Sequence, residues 1–545
     1  MVCLRAPAGL DPAFRSAPGI TISGSTLIRV LTFLLFTAFA VRTGLAGGPE
    51  TWVPARWQGG PLEVQRRAEN KTLPSDPAVR ESIAKWYDPA TLDLLKDTPI
   101  NCLLVTWGTG GNAGTDKQQQ SFVKSYAGEA HTRGLSVLGL IPPVGNPSSV
   151  AELSVEAGLD GLVVEGDSSD VVRFVPEVRR ALQERRSTAV VFPMTAWEKL
   201  QRDTDSPVLA AADAVVPGVQ ELAEDAEAAP SSEPWIESNI WLVRSVLSWC
   251  GPRPVWLGEQ VAPNATAGDY ERAIADAAAG GGRWILAPSD ELRHGLLLKR
   301  PEAIMTWRRI AASLKFQQDH AEWYRSAPFA VCGLIQDRSL KDRTVSDENL
   351  NLTYRRRIPL RVMDRAQLSA ASLEGLLAVH AIDIVQPTAN ERGILTVFAE
   401  KGGLVVIGPS WKPAEIDKNL DFAVLPTGNG RVVVYREEWP DPAGLSKDLV
   451  DLLGRDNLGV RLFRGASVLI YVSVDHANNR VLVHLLNYAS EPADSLVVRV
   501  TGDFRKASLN TPERDPEELA LEKSAGRVEV NIQSLSVYGV ILLEK

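Results

Sequence analysis

Short apolar runs alternate with amphipathic stretches through the first half of the chain. Between about residues 51 and 325, each apolar run is followed by a polar or Gly/Pro-rich loop and then by a segment with helical periodicity. This alternation predicts parallel strands joined by crossover helices, and eight of them over roughly 275 residues fit a (β/α)8 TIM barrel. The predicted strands are 51–57, 101–107, 136–141, 161–165, 188–193, 214–217, 254–259 and 283–287, and the predicted helices between them include 118–133, 148–157, 170–185, 233–250 and 270–279.

Two further patterns follow the barrel, which a helix at 301–324 completes. The first is a shorter α/β alternation, and the second is a series of Val-, Leu- and Tyr-rich runs separated by polar turns, typical of an antiparallel β-sandwich. The predicted α/β elements are strands 329–335, 381–385 and 403–407 with helices 369–379 and 391–401; the predicted sandwich strands are 431–435, 467–472, 481–486, 495–500, 527–531 and 536–543, with a helix at 445–453. The fold class is therefore α/β, with domains at 51–325, 326–430 and 431–545.

The N-terminal region has the features of an export signal. An uncharged apolar run at 30–41 is preceded by Arg29 and leads through Arg42 into the small residues 43–48. A run of this length is too short to span a bilayer, so we predict a signal peptide at 1–46 and a secreted or periplasmic protein without a stable membrane span after cleavage. The alternative is an anchor helix that is never cleaved.

Composition and charge narrow the function classes. The chain is 45% hydrophobic and 23% charged, which excludes disorder, collagen and coiled coil as descriptions of the whole chain. Its net charge is −9 and no basic block stands out. Nucleic acid is therefore not an expected partner.

The sequence contains no recognisable metal or cofactor motif. The 4 Cys and 6 His are scattered, without H-E-x-x-H or any other close pair. Gly108, Gly110 and Ala113 match a loose dinucleotide pattern, but the next predicted strand ends in Ile141-Pro-Pro, with no acidic residue to bind a ribose. We interpret this segment as an active-site loop, and predict no cofactor and no metal.

Two glutamates end predicted barrel strands. Glu165 ends the fourth strand and Glu259 ends the seventh. Active sites of such barrels lie at the carboxyl ends of the strands. A pair of carboxylates there suits glycoside hydrolysis, in which one carboxylate acts on the anomeric carbon or on water and the other protonates the leaving oxygen. The alternative for each residue is a local role in capping a strand or pairing with an arginine.

Tryptophans at the same strand ends are candidate sugar-stacking residues. The chain has 14 Trp, and Trp57, Trp107 and Trp197 fall at or just beyond the carboxyl ends of predicted strands. Each could present its ring to a sugar or bury it in the barrel rim.

The domain order and several segments resemble a known family. Segments 381–387 (AIDIVQP) and 398–409 (FAEKGGLVVIGP) resemble the glutaminase-like trimerisation domain of family 42 β-galactosidases of clan A, and segment 481–488 (VLVHLLNY) resembles their terminal sandwich. The resemblance implies an exported, retaining glycoside hydrolase acting on an oligosaccharide. It implies Glu165 as the acid/base and Glu259 as the nucleophile.

A second, shorter resemblance is to α-L-fucosidases. The stretch 86–89 (WYDP), with the strand at 101–107, resembles their second βα unit. In that family an Asp at the end of the fourth strand is the nucleophile, and Asp167 is the nearest candidate here.

The middle domain is expected to be inert. Its single cysteine, Cys332, lies inside an apolar run rather than at a strand-to-helix turn. The resemblance implies that this domain packs the barrel against the sandwich or against a neighbouring subunit. A homo-oligomer is therefore one of the two expected arrangements. The alternative to the hydrolase is a non-catalytic barrel that binds carbohydrate or serves assembly, because one fold hosts many functions.

Overall fold

Eight parallel strands form the barrel. The computed structural model describes residues 47–108, 113–166, 168–200, 205–220, 234–412 and 414–545. The strands of this part are β1 Pro54–Arg56, β2 Cys102–Thr106, β3 Ser136–Ile141, β4 Gly161–Glu165, β5 Val190–Thr195, β6 Leu209–Ala211, β7 Gly218–Val219, β8 Ile236–Glu237, β9 Val255–Leu257 and β10 Arg283–Trp284. The sheet order is β1-β2-β3-β4-β5-β6-β9-β10, while β7 and β8 pair only with each other. A parallel bridge between Ala55 and Leu286 closes the ring.

Helices surround this barrel, and apolar side chains fill it. The helices are α1 Gly60–Glu69, α2 Pro77–Ala84, α3 Ala113–Thr132, α4 Pro147–Glu156, α5 Ser168–Glu184, α6 Ile240–Cys250, α7 Ala267–Gly280, α8 Asp290–Leu297, α9 Pro301–Asp319 and α10 Ala321–Arg325. Alternate strand residues, such as Leu104, Phe192 and Trp256, cluster inside the ring. The residues between them, such as Leu103 and Val105, pack outward on the helices.

The barrel confirms the predicted architecture but corrects one strand. The sixth strand is β6, which pairs with β5 and β9, and not the segment 214–217. Val215 in that segment bonds through its N–H to the Asn239 side chain at 3.0 Å. The β-branched pair Val215-Val216 has the stronger strand propensity, but pairing with two neighbours decides the outcome in favour of the alanine-rich β6.

A mostly parallel sheet follows the barrel. Its strands are β12 Cys332–Gln336, β13 Leu360–Asp364, β14 Ala378–His380, β15 Leu404–Ile407, β16 Phe422–Thr427 and β17 Gly430–Tyr435; β11 Ala327–Pro328 precedes them and joins a later sheet. The order is β13-β12-β14-β15-β17-β16, and only β16 is antiparallel to its neighbour. Its helices are α11 Thr344–Arg355, α12 Ala389–Glu400 and α13 Pro442–Leu453.

Three predictions for this region were wrong. The segment 369–379, predicted as a helix, contains only a short 3-10 turn, Ala371–Leu373, and the start of β14. The segment 381–385, predicted as a strand, follows β14 and is not a strand. The segment 431–435, assigned to the sandwich, is β17 and pairs with β15 and β16. Helix α11 was missed because its sequence, TVSDENLNLTYR, is rich in polar residues of low helix propensity.

Two antiparallel sheets make the predicted sandwich. The strands are β18 Val460–Phe463, β19 Val468–Asp475, β20 Arg480–Asn487, β21 Ala493–Thr501, β22 Lys506–Thr511, β23 Arg514–Glu518, β24 Glu522–Ser524, β25 Arg527–Leu535 and β26 Tyr538–Glu544. One sheet has the order β11-β19-β20-β26-β22-β23 and the other β18-β21-β25-β24. Residues such as Val483, Val498 and Val530 form the core between them.

One apolar cluster joins all three parts. It includes Phe316 from α9, Tyr354 from α11 and Tyr538 from β26. The Asp276 carboxylate on α7 accepts hydrogen bonds from the Tyr488 hydroxyl at 2.6 Å and from the Asn239 N–H at 2.7 Å. The barrel and the sandwich are therefore fastened by buried contacts. Within the described ranges, no helix combines the length and apolar character needed to cross a membrane.

Candidate active site

Glu165 ends β4 and is held by an arginine. Arg56, at the end of β1, donates from Nη2 to Oε1 of Glu165 at 2.5 Å and from Nη1 to Oε2 at 3.2 Å. The Arg56 side chain is 9% exposed and that of Glu165 is 31% exposed. Two parallel bonds of this kind use both carboxylate oxygens of Glu165 as acceptors.

Glu259 lies two residues beyond the end of β9. Its Oε1 accepts a hydrogen bond from the Gln260 N–H at 2.7 Å. Gly258, just before it, lies close to Arg56, because a Cβ added to Gly258 would be 3.5 Å from the Arg56 Nη2. The Arg56 guanidinium therefore lies between the ends of β4 and β9.

Both glutamates line one cavity, which we call the barrel-mouth cavity. Its volume is about 890 Å³. It includes residues at or just beyond the carboxyl ends of five strands: Pro142, Glu165, Ala212, Glu259 and Ala287. This is the rim at which active sites of such barrels lie.

The charged lining of this cavity is mostly paired. It comprises four arginines and six acidic residues, namely Arg56, Arg66, Arg67, Arg293, Glu63, Glu69, Glu165, Glu259, Asp290 and Glu291. Arg67 bonds to Glu63 at 2.7 Å and to Asp290, and Arg293 also bonds to Asp290. Burial lowers the pKa of Arg67, but the charges of Glu63 and Asp290 outweigh burial and raise it. These ion pairs form part of the cavity wall, and because they share Arg67 and Asp290 they fix the positions of one another's side chains.

Two predicted stacking residues are corrected by the structure. Trp57 is fully buried, donates from Nε1 to the Tyr126 hydroxyl at 2.6 Å, and packs on Trp86 with ring centroids 4.8 Å apart. Trp107 is also fully buried. Neither ring presents a face to a sugar, because the helices outside the barrel cover both of them.

The remaining predicted binding residues lie elsewhere. Trp197 is half-buried, packs edge-on against Trp241 at 5.1 Å, and is not among the residues that line the barrel-mouth cavity. Asp167 lies outside the described residues, as does most of the loop predicted at 108–113. Among the described residues, no aromatic side chain lines the cavity, and no group of three or more His, Cys, Asp or Glu could hold a metal ion.

Sequence reasoning missed Arg56. It lies inside the apolar run 51–57, which ends in Trp57. The rule that selected the glutamates, a charged residue at the carboxyl end of a barrel strand, selects Arg56 equally well.

Comparisons with known proteins locate this architecture among glycoside hydrolase structures. An α-L-fucosidase from Paenibacillus thiaminolyticus matches with a TM-score of 0.58 and 11% identity, over 83% of this chain and 95% of that one. β-Galactosidases from Bacillus circulans sp. alkalophilus and Rahnella sp. R3 match with TM-scores of 0.58 and 0.54, at 8% and 9% identity, over 91% and 92% of this chain and 99% of each of theirs. No family model matches the chain, and no curated protein does. The neighbours confirm the predicted resemblance at the level of the fold.

Proposed function

We propose that the protein is an exported glycoside hydrolase that cleaves O-glycosidic bonds of an oligosaccharide. The observation that carries this proposal is the position of Glu165 and Glu259. They follow the ends of two separate parallel strands, β4 and β9, and line the same cavity. Two carboxylates at one barrel mouth are the minimum that acid-assisted glycoside cleavage requires. The structural neighbours, among them a fucosidase and two β-galactosidases, support the same reaction class.

The Arg56 contact determines the roles that we propose. The general acid must carry a proton, but both oxygens of Glu165 accept hydrogen bonds from Arg56. Glu165 therefore suits the carboxylate that attacks the anomeric carbon. Glu259, which has one oxygen engaged by a backbone N–H, suits the proton donor. This assignment reverses the one implied by the resemblance to clan A, and agrees with the resemblance to fucosidases in having the nucleophile at the end of the fourth strand.

The charge of the cavity favours a neutral sugar. The six acidic residues outnumber the four arginines, and Arg67 and Arg293 are already paired with acids. A uronic acid or a sulfated sugar would be repelled by the excess of negative charge. The volume of about 890 Å³ suits a small glycoside, since ligand pockets commonly span roughly 300–1,000 Å³.

A panel of nitrophenyl glycosides tests the proposal, beginning with the β-D-galactoside and the α-L-fucoside. We expect the protein to hydrolyse at least one of them, and Glu165→Gln to lose at least about a thousandfold in kcat/KM because an amide is a poor nucleophile. Glu177→Gln, an exposed carboxylate on α5, is the matched control and should keep full activity. NMR of the first-formed product should show retention of the anomeric configuration, as expected for double displacement.

One observation favours a non-catalytic barrel that binds carbohydrate or serves assembly. No aromatic side chain among the described residues lines the cavity, although sugar sites commonly use one. In that case no glycoside of the panel is hydrolysed, and Glu165→Gln changes sugar binding without any change in rate.

A further inference from the structure

A second cavity lies where the middle sheet changes direction. Strand β12 is flanked by β13 on one side and by β14 on the other. The connection from β12 to β13 therefore runs to one side of the sheet, and the connection from β13 to β14 runs back to the other side. In open parallel sheets, ligands bind outside the carboxyl ends of the strands at such a switch point. Here the loop 337–343 leaves the carboxyl end of β12 and leads into α11.

The cavity at this point has a volume of about 580 Å³, and we call it the switch-point cavity. The middle sheet contributes Arg338, Arg343 and Asp347, and the barrel contributes Glu198 and Trp249. None of the residues that line it also lines the barrel-mouth cavity. The two cavities are therefore distinct sites.

The Arg338 guanidinium lies against an aromatic ring and, in the described part of the chain, has a donor nitrogen without a hydrogen-bond partner. Its guanidinium carbon lies 4.2 Å from the centroid of the Trp249 ring. Its Nη1 is buried without a hydrogen-bond partner among the described residues. Stacking on an indole fixes the plane of the guanidinium and leaves the N–H donors at its edge available.

Arg343 lies beside it in a similar state. Its Nη2 donates to the Glu198 carbonyl oxygen at 3.0 Å, and its guanidinium carbon lies 5.2 Å from the centroid of the Trp197 ring. Its Nη1 is also buried and without a partner. Burial and the neighbouring charge of Arg343 lower the pKa of Arg338 to about 10.

Three of the four carboxylates that line the cavity accept hydrogen bonds from other donors, and the fourth, that of Glu198, belongs to an exposed residue. Asp342 accepts from the Thr344 N–H at 2.9 Å, Asp364 from the Ala366 N–H at 2.7 Å, and Asp347 from Gln336 Nε2 at 3.1 Å. In the described part of the chain, none of them bonds to Arg338 or Arg343. The Asp347 charge acts on both guanidiniums, but no carboxylate among the described residues bonds to either of them. An anion in the space between them would therefore meet N–H donors that are not already used by an ion pair.

We propose that the switch-point cavity is a binding site for a tetrahedral oxyanion, a phosphate or sulfate group, held by the Arg338 and Arg343 side chains. The planar guanidinium matches two oxygens of such a group. The group could be a free anion or part of a larger ligand, since the cavity exceeds the size of one phosphate. The positive end of α11, which begins at Thr344 beside the cavity, adds to the attraction.

Isothermal titration calorimetry at low ionic strength tests this proposal, with inorganic phosphate, inorganic sulfate and phenyl phosphate as probes. We expect one-site binding of phosphate or sulfate, weakened at least tenfold by Arg338→Gln and by Arg343→Gln. The matched control is Arg173→Gln, which removes the same charge from an exposed position on α5 and should leave binding unchanged. Tighter binding of phenyl phosphate than of inorganic phosphate would identify the group as part of a larger ligand, whereas equal affinity would identify a free anion.

Two results would overturn the proposal. One is the absence of binding heat with all three probes, and the other is binding that neither arginine variant weakens. Urea unfolding without anion separates binding from folding. Arg338→Gln removes a partly buried charge that bonds to no carboxylate among the described residues, so its midpoint should not fall, whereas a purely structural stack on Trp249 predicts a lower midpoint.

Discussion

At the scale of single residues, Arg56 determines what the barrel mouth can do. Without it, either glutamate could donate the proton, and the only basis for a choice would be the resemblance to clan A. With it, one carboxylate is held as an acceptor at both oxygens. Glu259, beyond the end of β9, supplies a carboxylate with only one oxygen engaged. The difference between two chemically identical side chains thus comes from their partners.

The leaving-group dependence of Glu259→Gln tests this difference. If Glu259 is the proton donor, the variant should lose about 10²–10⁴-fold in kcat/KM on glycosides with a poor leaving group, such as an alkyl alcohol. It should lose far less on a dinitrophenyl glycoside, whose leaving group needs no proton. Steady-state rates on the two substrates measure the contrast. If Glu165→Gln shows the contrast instead, the assignment implied by the clan A resemblance is correct.

The sequence predicted the position of these residues better than their surroundings. Glu165 and Glu259 follow from the rule of strand ends, because a strand's carboxyl end is visible in the apolar pattern. The same rule does not predict whether the side chains of Trp57 and Trp107 are exposed or buried. A residue next to a strand end can point into the mouth or onto a helix, and only the packing of Trp57 against Trp86 and Tyr126 shows which occurs.

At the scale of elements, hydrogen bonds to a barrel helix and to the sandwich fix the position of helix α7. Asp276 on this helix is fully buried and accepts from Asn239, at the start of α6, and from Tyr488, just after β20. Helix α11 also buries polar residues, namely Ser346, Asn349 and Thr353, and of these Ser346 bonds to the Asp383 carboxylate outside the helix. Sequence patterns failed at α11 because they count apolar positions, and this helix is covered by its neighbours despite its polar side chains.

Replacement of Asp276 tests how strongly α7 is fastened. Asp276→Ala leaves the buried Tyr488 hydroxyl and the Asn239 N–H without their acceptor, so it should lower the free energy of unfolding by roughly 3 kcal/mol. Asp319→Ala, an exposed carboxylate on α9, should change it by less than about 0.5 kcal/mol. Urea denaturation of both variants gives the comparison. A loss below about 1 kcal/mol for Asp276→Ala would mean that the fastening contributes little.

At the scale of the whole molecule, buried ionisable groups should make stability depend on pH in two opposing ways. Burial raises the pKa of Asp276 and Asp347 to about 6 and that of Asp383 to about 7. Their contribution to stability is complete below the unfolded value and is lost as pH rises through the folded value. Burial lowers the pKa of His380 to about 4 and that of His484 to about 3, so their contribution is lost as pH falls.

Asp383→Asn separates the two effects. Because the folded pKa of Asp383 is about 7, the wild-type protein should lose about 2 kcal/mol on account of this residue between pH 5 and pH 7. The variant should lack this loss, so its free energy of unfolding relative to wild type should rise by that amount over the same range. Chemical denaturation at the two pH values measures the change. Parallel curves for the two proteins would show that Asp383 does not titrate in this range.

Assembly stays a prediction. The middle sheet has β16 as an edge strand; Val424 on this strand is 46% exposed, and Leu420 just before the strand is 57% exposed. Stable interfaces bury roughly 1,200–2,000 Å² in total. Sedimentation velocity over a range of concentrations should reveal self-association that Val424→Asp weakens. A monomer at every concentration would leave this domain as a spacer between the barrel and the sandwich.

The place of β26 has a consequence for biosynthesis. This strand lies between β20 and β22, and its Tyr538 packs against Phe316 of the barrel helix α9. During synthesis this strand emerges from the ribosome after every other described strand. Part of the apolar surface of the barrel therefore stays exposed until β26 has been made. A premature stop codon within 538–544 should therefore be about as damaging as one far upstream, and the truncated chain should be a substrate for proteases rather than a shortened but working protein.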